Sequence, residues 1–166
     1  REAEPNLAEG LAGGLRVAGD SVVYQLTATT YLMDKAVAKG AVLKTGTRIV
    51  SVNDGDVELE NGAVIAAGNV INAAGAYASE LSPELNIKKR KGHLVITERY
   101  PNFVSHQLIE LSYLKSAHGK DADSVAFNVQ PRSTGQVLLG SSRQFGAETS
   151  EIDNSIVSRM TARAFE

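Results

Sequence analysis

Residues 70–81 read VINAAGAYASEL: a short apolar strand, a run of tiny residues around Gly75, then the polar start of a helix. Small side chains let a backbone come close to a ligand, and unpaired N–H groups at a helix start attract anionic phosphates. By itself such a run describes a ligand-free strand-to-helix turn more often than a binding loop. Other groups with chemical potential are sparse. His93, His106 and His118 are too scattered to propose a metal cluster, and His93 reads most simply as a partly buried histidine satisfied by a backbone carbonyl. Ser141 and Ser142 have no base near them in sequence, and there is no cysteine, so no activated Ser or Cys nucleophile is arguable. Glu58 and Glu60 share one face of an exposed hairpin, which reads as solubility. The basic run Lys88-Lys89-Arg90-Lys91 has no interleaved aromatics and reads as a solvated strand entrance rather than a nucleic-acid site. Arg132 and Arg143 suit a bidentate grip on a carboxylate, with a salt bridge the plainer reading of Arg143.

The elements that position these groups belong to a folded domain or two small lobes. The chain has 166 residues, 43% of them hydrophobic, and a formal net charge of −2 with both signs interspersed. That size buries a real core, and that charge offers no electrostatic case for nucleic acid or a membrane surface. The lack of cysteine rules out disulfides and suits a reducing compartment. No apolar run is long enough to span a membrane and no signal peptide is visible, so a cytoplasmic location is expected. The chain opens on Arg1 and closes on Phe165-Glu166 inside a helical pattern, which suggests a piece of a longer protein.

Residues 1–23 look irregular apart from a strand at 15–17. A helix is expected over 27–39, with Leu26, Thr30, Met33 and Val37 on one face, Thr27 as cap and Gly40 as stop. A strand should follow at 41–44, as in a βαβ crossover. Three short strands then alternate around Asp54-Gly55 and Asn61-Gly62, dipeptides that supply the positive φ of tight hairpins. A further strand at 69–72 delivers the chain to the small-residue run. Beyond it, 94–97, 103–114, 125–129 and 136–140 read as an antiparallel sheet, with a polar loop at 117–123 and a final amphipathic helix over 151–166. The expected class is α+β: a βα-plus-meander lobe at 23–84, joined to an antiparallel-sheet lobe made of 1–22 and 85–166.

Taken in order, the helix with GAVLKTGTRIVSV (40–52), the run 70–81, and RKGHLVI (90–96) with VQPRSTGQVLLGSSRQ (129–144) resemble the middle of an FAD-dependent oxidoreductase of the D-amino-acid oxidase superfamily. Glycine and sarcosine oxidases and hydroxyproline or proline dehydrogenases are the relatives it looks like. The resemblance implies that 23–84 is part of an FAD-binding lobe, with backbone near Ile49 and Val50 facing adenine. It implies that Ala73, Ala74, Gly75, Ala76 and Tyr77 pass close to adenosine and pyrophosphate. It places Gly92 and His93 near the isoalloxazine, and Asn128, Gln130 and Arg132 in a substrate sheet over the flavin. Asn128 stands where relatives carry an aromatic. No Gly-x-Gly-x-x-Gly fingerprint is present, nor a later carboxylate-anchoring arginine segment, so the chain itself is expected to hold FAD weakly or not at all.

The resemblance further implies a CH–NH oxidation of a small amino acid or N-alkyl amino acid, with hydride passing to the flavin and no obligatory side-chain base. No catalytic side chain is assigned. A hydroxy-acid or glycerol-3-phosphate oxidising relative is the alternative enzyme, and a non-catalytic binding or assembly module the alternative for the isolated chain. A homo-oligomer and a partner subunit both stay open, with no nucleic acid, metal or membrane span expected.

Overall fold

The computed structural model describes residues 2–113 and 123–166. The expected loop at 117–123, all but its last residue, lies outside the described residues, as do Leu114 and His118. The chain divides into two compact units, Val23–Lys88 and Arg1–Val22 with Lys89–Glu166.

In the unit Val23–Lys88, helix α1 spans Gln25–Ala38 and begins two residues before the expected Thr27 cap. Tyr24 sits at the N-cap and makes no capping hydrogen bond through its side chain. The stop comes as expected: Gly40 takes φ +96° and its N–H donates to the Val37 carbonyl at 2.9 Å. None of the α1 side chains is buried. Strands β1 (Ile49–Asn53), β2 (Asp56–Leu59) and β3 (Val64–Ala66) form the antiparallel meander that the Asp-Gly and Asn-Gly turns predicted. Gly55 and Gly62 both adopt positive φ there. A 3-10 turn at Gly75–Tyr77 leads into α2 (Ala78–Leu81). Buried apolar side chains in this unit are few: Val57 and Leu59 from β2, and Ala78 from α2.

Two strand expectations fail here. Residues 41–44 and 69–72 belong to no strand, and Val42, Leu43, Val70 and Ile71 are exposed. Their apolar character suits a strand buried on both faces, but a strand is defined by pairing, and nothing among the described residues pairs with them.

The other unit is built on a five-stranded antiparallel sheet of order β4-β8-β7-β6, with β5 also against β8. Its strands are β4 (Arg90–Lys91), β5 (Val95–Arg99), β6 (Leu108–Ile109), β7 (Ser124–Pro131) and β8 (Gln136–Phe145). β4 and β5 lie along the same edge of β8, one beside each half of it, so they form a single line broken at residues 92–94. The long strand expected over 103–114 shrinks to Leu108–Ile109, because the 100–103 segment turns back with Asn102 at φ +62°. The expected strand at 15–17 is also absent. Across the sheet, Val95, Leu139, Val129 and Leu108 form one row in register. With Val137 they make the core, packed against Phe127, Val104 and Ala164. Helix α3 (Asn154–Ala164) covers this face, burying Ile156 and Met160 four residues apart on one stripe.

The N-terminal segment is pinned by a buried carboxylate. Glu4 accepts hydrogen bonds from the Ser105 amide (3.0 Å), the His106 amide (2.6 Å) and His106 Nδ1 (2.6 Å). Asn6 Nδ2 adds a bond to the Phe103 carbonyl at 2.9 Å.

Candidate functional site

The residues expected to meet a cofactor fall into two groups, one in each unit. In Val23–Lys88, Ile49 pairs with Leu59 and the register slips between Ile49 and Ser51, so Val50 sits at the irregularity with its side chain in solvent. The small-residue loop is shaped by Asn72, to which the sequence reading gave no role. Its Nδ2 donates to the Ala78 carbonyl and to Ser82 Oγ, both at 2.9 Å, and its Oδ1 accepts the Ala74 amide at 3.2 Å. This clamp folds Ala73, Ala74, Gly75 and Ala76 outward, with Tyr77 59% exposed beside them. Gly75 takes φ +57°, and a Cβ there would meet no atom within 4 Å. That glycine serves conformation and leaves an open backbone surface.

The helix-start argument for phosphate is corrected by this geometry. α2 is a single turn of four residues. The Ala74 and Tyr77 amides are already committed to Asn72 Oδ1 and the Ala74 carbonyl. A macrodipole needs aligned peptides over several turns, so little anion attraction is left here. What remains is a bare, exposed backbone beside the exposed Tyr77.

In the sheet unit, Gly92 fills the break between β4 and β5. A Cβ at Gly92 would lie 2.9 Å from the Ser142 carbonyl, so any side chain would push β8 away. His93 is buried, and both its ring nitrogens are engaged. Its Nε2 accepts the Asp153 amide at 3.0 Å, which puts the ring proton on Nδ1, 3.2 Å from Ser142 Oγ. The same Ser142 Oγ accepts the His93 backbone N–H at 2.8 Å. Asp153 in turn caps α3, accepting the Ser155 amide at 3.0 Å and the Ile156 amide at 3.2 Å. The Ser155 hydroxyl, then the Ile156 and Ser155 amides and Gln144, hold the Asp153 carboxylate below its ordinary range, against a smaller desolvation effect. His93 is thus a latch between the broken strand and the start of α3. Its partners are a serine hydroxyl and a backbone amide, not the backbone carbonyl expected.

The sheet's second face, opposite the α3 side, carries the residues expected to meet substrate. Two rows lie in register on it: Ile96, Leu138 and Gln130, then Gly140, Asn128 and Ile109. Ile96 and Ile109 are 62% and 53% exposed, whereas Asn128 on the central strand is 8% exposed. Among the described residues, Gln130 Oε1 is buried with no hydrogen-bond partner, and no hydrogen bond uses the Asn128 side-chain amide. The structure therefore brings Asn128 and Gln130 together on one apolar-rimmed face. Arg132 stands past the end of β7, in the turn where its amide donates to the Gln136 carbonyl at 2.9 Å. Its neighbour in expectation, Arg143, lies over the Tyr113 ring at 5.6 Å. Among the described residues, no group of three or more His, Asp or Glu is placed to hold a metal ion, and no helix is long and apolar enough to cross a membrane.

Known proteins share this fold. The solved glycine oxidase of Geobacillus kaustophilus has the same fold, with a TM-score of 0.79 and 23% identity, over 98% of this chain and 42% of that one. A glycine oxidase of Bacillus cereus ATCC 14579 superposes with a TM-score of 0.66 at 12% identity, over 82% of this chain and 37% of that one. The hydrogen cyanide synthase subunit HcnC of Pseudomonas aeruginosa is 30% identical over 115 residues. That match covers 63% of this chain and 28% of HcnC, so the chain spans under a third of that relative. The whole length, residues 1–166, matches the FAD dependent oxidoreductase (DAO) family, and the chain belongs to that family of FAD-dependent enzymes.

Proposed function

We propose that this chain is the central part of a flavoprotein that oxidises the CH–NH bond of a small amino acid or N-alkyl amino acid. The observation that carries the reading is the second sheet face of the unit containing residues 89–166, buried at its centre and exposed at Ile96 and Ile109. It sets the Asn128 amide, uncommitted to any described residue, amid Ile96, Leu138 and Ile109. A neutral amide with one donor and one acceptor side complements a zwitterion, whose carboxylate accepts and whose amine donates. Apolar neighbours exclude water and leave room for a small side chain. The family membership and the glycine oxidase likeness support the same class.

Bound FAD supplies the two-electron acceptor for the substrate's α-hydride. In unit Val23–Lys88, Ile49 and Val50 and the bare backbone at residues 73–76 would lie against its adenosine half, with Tyr77 alongside. The Gly92–His93 break would approach its ring half through backbone alone, since the imidazole nitrogens are occupied. The zwitterion would lose one ammonium proton to solvent and its α-hydride to the acceptor, leaving an iminium that water hydrolyses. Asn128 Oδ1 would accept the amine N–H and orient the C–H bond; its Nδ2 would steady the carboxylate, with Arg132 at the margin.

The many exposed apolar side chains of Val23–Lys88, among them Leu26, Leu32, Val42 and Ile71, support weak FAD binding by this chain alone. A lobe with so small a core cannot hold a large cofactor rigidly. Two measurements test the proposal. FAD fluorescence should show little quenching with the isolated chain, and the full-length flavoprotein should bleach anaerobically with glycine, sarcosine, proline or hydroxyproline. Bleaching by glycerol 3-phosphate or 2-hydroxyglutarate alone would replace this reading with a hydroxy-compound oxidase.

A further inference from the structure

Asn128 and Gly140 face each other in register on β7 and β8. A Cβ added at Gly140 would lie 2.7 Å from Asn128 Oδ1, 2.9 Å from its Nδ2 and 3.1 Å from its Cγ. The Asn128 amide therefore lies across the bare α-carbon of Gly140. Gly140 does not occupy the left-handed region that excludes other residues, so its need for glycine is one of space. The contrast with Asn72 is informative. That amide spends its donor and acceptor on three neighbours, whereas the Asn128 amide spends neither on any described residue. Burying a polar atom uncommitted is costly, as for Gln130 Oε1 two residues along β7; neither Asn128 amide atom is enclosed in that way, so both stay open to a ligand.

We infer that Gly140 is a positioning residue: the empty space at its α-carbon keeps the Asn128 amide flat on the sheet, with donor and acceptor set for the amine and carboxylate of a small amino acid. This rests on the amine-oxidising reading above. The chemistry differs from a purely apolar slot. A methyl group at 140 turns the amide away from the sheet and withdraws the donor–acceptor pair, while the rest of β8 keeps its pairing.

The test uses the full-length flavoprotein and the amino acid that bleaches it, titrated anaerobically to give an apparent Kd. Gly140→Ala should raise that Kd about tenfold, the loss of one well-placed hydrogen bond, with the resting flavin spectrum unchanged. Asn128→Ala should do the same. The double variant should bind no worse than Asn128→Ala alone, because Gly140 acts only through Asn128. Losses that multiply to about a hundredfold in the double variant would overturn the inference, as would an unchanged Kd for Gly140→Ala. If Gly140→Ala does not fold, the double variant decides. A folded double variant with the affinity of Asn128→Ala supports the pairing, and one that stays unfolded overturns it. A wild-type flavin that no amino acid bleaches removes the amine reading instead, and the same cycle is then run with 2-hydroxyglutarate or glycerol 3-phosphate.

Discussion

Replacing His93 by phenylalanine separates two roles that the sequence left open. The ring volume is nearly conserved, so packing in the buried site changes little. Both side-chain hydrogen bonds disappear: Nδ1 to Ser142 Oγ at 3.2 Å, and the Asp153 amide to Nε2 at 3.0 Å. Each is a neutral bond worth about 1 kcal/mol net, so His93→Phe should destabilise by about 2 kcal/mol. His93→Gln restores an acceptor for the Asp153 amide and should recover about half of that. His93→Ala opens a cavity as well and should cost about 4 kcal/mol. Urea unfolding at neutral pH, followed by far-ultraviolet circular dichroism with a common m-value, reads all three. A loss under about 0.5 kcal/mol for His93→Phe, joined to a shifted flavin band in the full-length protein, would refute the latch and return the imidazole to the cofactor.

Other perturbations test the remaining polar commitments. Burial pushes the Glu110 pKa up, but hydrogen bonds from the Phe127 amide, Ser112 and Arg163, with the Arg163 charge, outweigh it and hold it below 4.5. A depressed folded pKa means its stabilisation is complete above the unfolded value and is lost as pH falls through the folded one. Glu110→Gln should therefore flatten the acid limb of a stability–pH curve below about pH 4.5, and an unchanged acid limb would contradict it. Gln130→Leu removes a buried unpartnered oxygen and should raise stability by about 1 kcal/mol while weakening substrate binding. A variant that loses stability there would show that Gln130 is satisfied. Glu4→Ala leaves the Ser105 and His106 amides without their acceptor, so hydrogen exchange should quicken at 103–106 first. Gly75→Val forces a β-branched residue to φ +57° and should weaken FAD binding in the full-length protein; equal affinity would free that loop from the cofactor.

What could be read in the chain was what local chemistry decides. Asp54-Gly55 and Asn61-Gly62 named their hairpins because positive φ is a property of the turn itself. Gly40 ended α1 for the same reason. α1 begins ahead of Thr27 because its N-cap, Tyr24, makes no side-chain capping bond and so leaves no capping signal in the sequence. α3 begins at Asn154 rather than at 151, because Asp153 is the residue whose side chain caps the first turn. Residues 41–44 and 69–72 have strand composition, and only their pairing is missing, which no single segment encodes. In the site, small residues at 73–76 were visible as a pattern. The Asn72 clamp, the Ser142–His93–Asp153 chain and the Gly140–Asn128 contact were not, since each joins residues by a fold that composition does not spell out.

How each polar group is occupied sorts these residues by role more sharply than their type does. His93 looks catalytic by type, yet its two ring nitrogens are filled by the protein, so it fixes the broken strand and the helix cap in place. Asn72 is filled in the same way and shapes a loop. Asn128, an ordinary amide by type, is as buried as His93 but uncommitted to any described residue, and a glycine across the strand makes room for it. The Asn128 amide atoms are not fully enclosed, so on the proposed function a ligand offering one donor and one acceptor would reach both. On that proposal, specificity for a small zwitterion would need no charge at the centre of the site, and the apolar rim of Ile96 and Ile109 would strengthen the amide's hydrogen bonds once a bound ligand shut out water.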